Sequence, residues 1–269
     1  MLTLYFSATG NTKYIAELFS TQMNAKCISI EEDTDFSHEI NNHDTIAFCY
    51  PIYGSRVPRN MREFVEKHML KLHGKRIIIF VTQMMFSGDG ARVFTDMFRE
   101  GAIEVIYAEH FNLPNNIGNT PLLRKASDKS IERQFMKAET KMLLACQNIK
   151  NGIVIKRGFS SFSKALGYVQ GRAWQGDSKN INLNPKSIES KAKDGVKIHK
   201  ECTLCSLCVK ICPVNNLEND EGKIKAKGDC IICYRCVNRC PHRAITVLGF
   251  HIRAKWQYQA PNYRGGDLK

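Results

Sequence analysis

The chain has 269 residues, 43% of them apolar, and its 39 Lys and Arg against 26 Asp and Glu give a formal net charge of +13. This length allows more than one domain, and the apolar share is typical of globular proteins. No apolar run approaches the roughly 18–20 residues that a membrane-spanning helix needs. The sequence therefore predicts no membrane span.

A phosphate-binding loop is predicted at the start of the chain. The β-prone run MLTLYF at 1–6 leads directly into SATGNT at 7–12, and apolar residues then recur at helix spacing. Amides at a helix N-terminus, together with Ser and Thr hydroxyls, bind anions. The loop lacks the Lys of the Walker pattern, so a nucleoside triphosphate is not expected. The plainer alternative is an ordinary Ser/Thr-capped helix.

Strand and helix patterns then alternate along the first half of the chain. Further strands are predicted at 26–30, 45–50, 75–82 and 103–110, and a long helix at 127–150. The run 75–82 is apolar throughout its middle, as central parallel strands are. This alternation predicts an α/β fold with a doubly wound, five-stranded parallel sheet, whose ligands lie at the C-terminal strand ends.

Three loops leave those strand ends, at 7–12, 51–60 and 83–90. The piece 88–93 begins as G-x-G but lacks the final Gly of a dinucleotide fingerprint, and we discount it as one. His68 and His73 flank a helix end and are expected at the surface. Cys27, Cys49 and Cys146 are interpreted as small buried hydrophobic residues.

Three segments lie outside the alternating pattern. The Pro/Asn/Gly-rich stretch 111–125 is long enough to form a lid rather than a plain connection. Segment 151–195 has helix-spaced Phe159, Phe162, Leu166 and Val169, and is interpreted as a helical connector that packs one domain on the other. The basic, aromatic tail 250–269 is expected to fold back.

Eight cysteines form two runs with the same spacing, C-x2-C-x2-C-x3-C-P, at 202–213 and 230–241, which we call the first and second cysteine runs. This is the bacterial pattern for [4Fe–4S] ligation, in which the fourth cysteine of each run ligates the other cluster. Zinc is the better rival, but zinc sites usually draw on two separated cysteine pairs. The predicted ligand sets are Cys202, Cys205, Cys208 and Cys240 for one cluster, and Cys230, Cys233, Cys236 and Cys212 for the other.

The need for eight free thiolates, with no export signal recognised before the first motif, predicts a cytoplasmic protein. Bound cofactors would reduce the net charge to about +7, because the cluster thiolates and a bound phosphate group are anionic. The range 186–243 contains seven Asp and Glu residues and twelve Lys and Arg residues. We expect them to guide docking on an acidic redox partner protein. They are Lys186, Lys191, Lys193, Lys197, Lys200, Lys210, Lys223, Lys225, Lys227, Arg235, Arg239 and Arg243.

The motif SATGNT, an aromatic-and-Gly second loop and a Gly/Asp third loop resemble flavodoxin. With the two cysteine runs, the chain resembles the family of flavodoxin–ferredoxin fusions. The resemblance implies FMN, with its ring between Tyr53 and either Met85 or Phe86, and a peptide flip at Gly54. It assigns Ser7, Thr9, Gly10, Asn11 and Thr12 to the phosphate, and Pro51, Ile52, Tyr53, Gly54, Thr82, Gln83, Met85, Phe86, Ser87, Gly88, Asp89 and Gly90 to the ring.

The implied organisation is a flavodoxin-like domain at 1–150, a connector at 151–195, a small α+β domain with two [4Fe–4S] clusters at 196–249, and a tail at 250–269. The expected function is electron transfer between FMN and the clusters, and to or from a partner. One alternative is an FMN-dependent reductase that acts on a small molecule and in which the clusters transfer electrons within the protein. Another is nucleic-acid binding, which is disfavoured because aromatic residues are not interleaved with basic ones.

Overall fold

The computed structural model describes residues 1–85, 88–118, 125–175, 187–249 and 252–261, with the backbone alone at 173–175 and 254. Within these ranges, no helix combines the length and apolar character that crossing a bilayer demands. The chain divides into two compact units. One comprises Met1–Ser7, Asn11–Leu113 and Asp128–Gly171, and the other comprises Ala8–Gly10, Pro114–Ser127 and Arg172–Lys269. The division into four predicted segments stays a prediction.

The first unit is built on a six-stranded parallel sheet with strand order β2-β1-β3-β4-β5-β6. Its strands are β1 (Leu2–Tyr5), β2 (Lys26–Ser29), β3 (Thr45–Pro51), β4 (Arg76–Gln83), β5 (Glu104–Asn112) and β6 (Ile155–Lys156). Its helices are α1 (Asn11–Met23), α2 (Phe36–Asn41), α3 (Arg59–Leu72), α4 (Asp128–Lys150) and α5 (Ser161–Gln175), with a 3-10 helix at Arg92–Met97. The parallel α/β fold and the five predicted strands are confirmed.

The sheet has one strand more than predicted. Strand β6 has two residues and pairs with β5 at Tyr107 and Ala108. Two residues are too few to show a strand period in the sequence, which is why the five-strand prediction omitted it. The six-residue helix α2 was missed as well, because it is too short to show a clear helical period in the sequence.

The core of the first unit lies on both faces of the central strands. Strands β3 and β4 are each buried over six consecutive residues, because helices cover both sides of a parallel sheet. The ring of Phe80 packs edge-on against those of Phe19 and Phe111. Full burial of one such side chain contributes about 1.5–3 kcal/mol.

His68 is buried, so the prediction of a surface position is wrong for this residue. It lies one helical turn after Phe64 on the inner face of α3, with its ring centroid 4.7 Å from that of Phe64. Burial lowers the pKa of His68. His73, the next residue after α3, is exposed as expected.

The second unit contains short elements around the two cysteine runs. Its strands form two antiparallel pairs, β7 (Val196–Ile198) with β10 (Ile245–Val247), and β8 (Leu217–Asp220) with β9 (Lys223–Ala226). Its helices are α6 (Ile188–Lys193), α7 (Leu207–Lys210) and α8 (Arg235–Arg239), and a 3-10 helix lies at Ala254–Trp256. The expected small α+β region is thus present.

Candidate functional site

The first loop has the features of a phosphate cradle. Helix α1 begins at Asn11, directly after the loop, and Gly10 adopts a φ of +100°, which is accessible to Gly at little cost. The side chains of Ser7, Thr9 and Thr12 are buried. A 13-residue helix presents its first backbone amides and a positive dipole end at this point. These residues fit a bound phosphate.

Thr12 and Thr82 connect the first loop to the end of β4. Their hydroxyl oxygens lie 2.8 Å apart, and either may donate the hydrogen bond. Both side chains are almost fully buried, at 1% and 4% exposed. Two predicted cofactor residues, 70 positions apart, are therefore adjacent.

The second loop begins with a tight turn. Tyr53 and Arg56 exchange backbone hydrogen bonds of 3.1 and 3.0 Å around Gly54 and Ser55, whose φ values are +55° and +60°. Two successive positive φ values are typical of a type I′ turn. The amide of Ile52 donates to the carbonyl of Thr82 at 2.9 Å, which fixes the start of the loop on β4. Tyr53 is thereby held at the C-terminal end of the sheet, beside Pro51.

The third loop is partly described. Met85 is 68% exposed, Gln83 donates to the carbonyl of Met85, and Gly88 has a φ of +57°. Phe86 and Ser87 lie outside the described residues, so only Met85 of the two ring-flanking candidates is placed. An exposed thioether at a strand end can lie on an aromatic ring system.

Asp89, next to Gly88, is buried and forms an ion pair with Arg92 at 2.6 Å. Its other carboxylate oxygen has no hydrogen-bond partner within the part of the chain that the structure describes. The carbonyl of Gly90 accepts a hydrogen bond from the Tyr50 hydroxyl at 3.1 Å, and burial raises the pKa of that hydroxyl well above its ordinary value. The end of the third loop is therefore anchored inside the first unit.

Helix α5 contacts the second and third loops, and this role was not predicted from the sequence. Ser55 donates to the side chain of Gln170, and Arg56 donates to the carbonyl of Gly167. A Cβ added at Gly167 would lie 1.6 Å from the Asp89 carboxylate, so only Gly permits this approach. The G-x3-G spacing of Gly167 and Gly171 was the available signal, since small residues at this spacing mark close packing on a helix.

The two cysteine runs repeat in structure as well as in sequence. Left-handed residues recur at an offset of 28 positions, and helices α7 and α8 follow at the same point in each run. The matching pairs are Leu204 with Ile232, Ser206 with Tyr234, and Asn215 with Arg243. A left-handed conformation is strained for such residues and persists only where surrounding structure requires it. Both runs thus wind the same tight loop.

Backbone amides point at the fourth cysteine of each run. The amide of Asn216 lies 3.2 Å from the Cys212 sulfur, and that of Ala244 lies 3.3 Å from the Cys240 sulfur, again at the repeat offset. The amide of Ile232 lies 3.4 Å from the Cys230 sulfur. Amide donors of this kind stabilise thiolate charge and tune cluster potentials.

One cavity is lined by four of the eight cysteines, Cys202, Cys205, Cys208 and Cys240, together with the apolar residues Ile198, Ile224 and Ile245. Three of these cysteines belong to the first run and the fourth to the second. This set is the one that crossed ligation predicts. Among the described residues, which include all eight cysteines, no three His, Cys, Asp or Glu side chains converge as a single metal ion requires.

The thiols that act electrostatically on Cys208 and on Cys233 divide in the same way. Burial raises the pKa of Cys208 to about 11, and Cys240, Cys202 and Cys205 add to the rise. Burial raises the pKa of Cys233 to about 12, Arg235 opposes it, and Cys230 and Cys212 add to it. Because metal ligation needs the thiolate, cluster insertion must release these protons.

Arg235 does not belong to the exposed basic surface. Its side chain is only 1% exposed, so Arg235 cannot contact a docking partner as predicted. Of the other predicted docking cations, Lys186 lies outside the described residues, and Lys193 and Arg239 are half-buried. The exposed ones are Lys191, Lys197, Lys200, Lys210, Lys223, Lys225, Lys227 and Arg243.

Comparison with known proteins finds a match on each part of the chain. The model of the family described as Flavodoxin domain matches residues 2–126, and that described as 4Fe-4S dicluster domain matches residues 201–245. No curated protein sequence matches the chain.

Among solved structures, oxidised flavodoxin 2 of Bacillus cereus is 19% identical, with 52% of this chain and 97% of that chain covered and a TM-score of 0.36. The two-electron reduced flavodoxin of Megasphaera elsdenii is 21% identical, with 52% and 99% covered and a TM-score of 0.37. Rubredoxin oxygen:oxidoreductase of Desulfovibrio gigas is 10% identical, with 57% and 37% covered and a TM-score of 0.39.

Proposed function

The chain is a fusion of a flavodoxin domain with a 4Fe-4S dicluster domain and has a flavin and iron–sulfur electron-transfer role; from this premise we propose that it exchanges electrons between one FMN and two [4Fe–4S] clusters. It passes them to or from a separate redox partner protein. The bound flavin supplies chemistry in steps of one or two electrons, whereas each cluster supplies single electrons.

The observation that carries this proposal is the internal repeat of the cysteine runs. Two loops carry four cysteines each and share the same left-handed positions and the same contact between a backbone amide and the fourth cysteine. Four of these cysteines line a cavity whose remaining walls are largely apolar. An apolar, partly buried setting of this kind controls solvent access to a redox centre.

The chain's own residues have distinct tasks in this proposal. Ser7, Thr9 and Thr12 donate hydroxyl hydrogen bonds to the FMN phosphate, and α1 adds its N-terminal dipole. Tyr53 and Met85 bracket the ring at the sheet edge, while α5 fixes the loops that carry them. The cysteines hold the clusters, with Cys212 and Cys240 each crossing to the cluster of the other run.

The partner is an acidic protein, and the reducing cytoplasm is the proposed compartment because free thiolates persist there. The exposed lysines around β7, β8 and β9 support charge-guided docking. Lys225 is engaged with Asp220 at 2.5 Å, so it contributes less than its neighbours. Such docking gives fast association together with fast release, as a carrier needs.

Anaerobic purification of the chain made with ample flavin and iron tests the proposal. We expect one FMN and two [4Fe–4S] clusters per chain, and a visible spectrum with flavin bands over broad cluster absorbance. A protein that binds zinc in place of iron, or one that binds no flavin, contradicts it. Stopped-flow reduction by an acidic ferredoxin then tests the partner.

A further inference from the structure

Arg235 breaks the symmetry of the two cysteine runs. It stands immediately before Cys236, the third cysteine of the second run, and the equivalent residue before Cys208 is Leu207. Leu207 is partly exposed, whereas Arg235 is the largest fully buried side chain among the described residues. The loop that holds a cluster therefore forms without an arginine at this position, and Arg235 serves another purpose.

The guanidinium of Arg235 donates to two backbone carbonyls from different parts of the chain. Its Nε lies 3.3 Å from the carbonyl oxygen of Ala8, and its Nη1 lies 2.9 Å from that of Ile211. Ala8 belongs to the predicted phosphate loop, and Ile211 directly precedes Cys212. Burying a charge is costly unless such hydrogen bonds compensate it. The planar guanidinium can serve two acceptors in fixed directions, which an ammonium group cannot do.

The contact with Ala8 orients a peptide group of the phosphate loop. In a trans peptide the carbonyl and the following N–H point in opposite directions, and the described chain has no cis peptide bond. Holding the Ala8 carbonyl on Arg235 therefore turns the Thr9 N–H away from it. The Thr9 carbonyl accepts a hydrogen bond from the Ala260 amide at 2.8 Å, which turns the Gly10 N–H in the same manner. A loop that donates these amides to a phosphate needs this orientation.

The same side chain places a buried positive charge beside two cluster ligands. Arg235 lies between Cys233 and Cys236 in the sequence, and its side chain reaches the residue before Cys212. Adding an electron makes a cluster more negative, and a nearby buried cation stabilises the added charge, because little solvent screens the interaction.

We propose that Arg235 is a positioning residue shared by both cofactors: it orients the Ala8–Thr9 peptide of the FMN phosphate loop and stabilises the reduced form of the cluster held by Cys230, Cys233 and Cys236. The proposal rests on the proposed function. The second cysteine run thus contributes to flavin binding through Arg235, whereas the first run has Leu207 at this position and makes no such contribution.

Two variants and a control test it in the full-length chain with clusters loaded. R235L installs the residue found at the equivalent position, and R235K keeps the charge without the fork of donors. R133L removes an exposed arginine from α4, outside both cysteine runs, and is the control. FMN affinity is measured by fluorescence titration, the potential of each cluster by redox titration followed by electron paramagnetic resonance, and cluster loading by iron content.

In R235L we expect FMN affinity to fall at least tenfold. The equilibrium constant for reducing the second-run cluster should also fall at least tenfold, which lowers its reduction potential by about 59 mV for one electron. The reduction potential of the other cluster should be unchanged. R235K should keep the cluster potential of the wild type but bind FMN more weakly. R133L should match the wild type in both measurements.

Wild-type protein that binds no FMN overturns the proposed function and this inference together. Wild-type protein that binds FMN, with R235L unchanged in both affinity and potential, overturns the inference alone. If R235L loses iron, R235K decides: weaker FMN binding at full iron content supports the inference, and unchanged binding overturns it.

Discussion

Replacing Thr12 with Val separates the contribution of the phosphate-loop hydroxyl to FMN binding from its contribution to folding. The change preserves the shape of the side chain and removes one hydroxyl, which lies 2.8 Å from that of Thr82. Thr82 is 4% exposed, so its hydroxyl would lose this partner in a buried setting. An unsatisfied buried hydroxyl costs about 1–3 kcal/mol, and a hydrogen bond to a charged phosphate contributes about 1.5–3 kcal/mol.

Two quantities should therefore change in T12V. The free energy of unfolding of the flavin-free protein should fall by about 1–3 kcal/mol, and the Kd for FMN should rise by roughly 10-fold to 150-fold. Urea denaturation followed by circular dichroism measures the first, and fluorescence titration with FMN measures the second. T140V is the matched control, because Thr140 lies on the exposed face of α4.

The double variant T12V/T82V distinguishes the two effects. Removing both hydroxyls leaves neither unsatisfied, so stability should recover towards that of the wild type. FMN affinity should stay as weak as in T12V, because the phosphate still lacks its donor. Recovery of FMN affinity in the double variant, or a Kd within twofold of the wild type in T12V, would refute the assignment of Thr12 to the phosphate.

Three further predictions concern other parts of the molecule. Cys240→Ala should damage the cluster of the first run and Cys212→Ala that of the second, as resolved by electron paramagnetic resonance; loss of the mutated run's own cluster contradicts crossed ligation. His110 is buried with its pKa lowered to about 4, so the unfolded state takes up a proton first as the pH falls. Keeping His110 neutral contributes about 3 kcal/mol to the free energy of unfolding; this contribution is complete above pH 6.5 and is lost as the pH falls towards 4. The variant H110Q should therefore show a weaker acid dependence of hydrogen exchange in β5. An equal acid dependence in both proteins contradicts the prediction. Electron exchange with an acidic ferredoxin should slow as salt rises, since exposed charges are screened over about 8 Å at physiological ionic strength; a stopped-flow rate that ignores salt refutes charge-guided docking.

The parts of the fold that the sequence predicted are those with a local signal. The apolar middle of β4 and the alternation of strands and helices reflect burial on both faces of a parallel sheet. The loop at Ser7–Thr12 and the cysteine runs are contiguous, so spacing alone identified them. Their detailed ligand roles stay predictions.

The parts that the sequence did not predict depend on contacts between distant residues. Strand β6 exists only through its pairing with β5, and α5 contacts the second loop through Gln170 and Gly167. Arg235 looked like one of twelve surface cations, because its carbonyl partner at Ala8 is 227 positions away. Neither composition nor periodicity carries information at such separation.

The segments of the second unit come from both ends of the chain, and this constrains the order of assembly during synthesis. Strands β1 to β5 lie within the first 112 residues and can pair as soon as these leave the ribosome. The partners of the Ala8 and Thr9 carbonyls, Arg235 and Ala260, are synthesised near the end. Contacts of this length close late, since loop entropy must be overcome first. A nascent chain halted before Arg235 would therefore hold the sheet and its core, but its phosphate loop would lack the two donors that orient it.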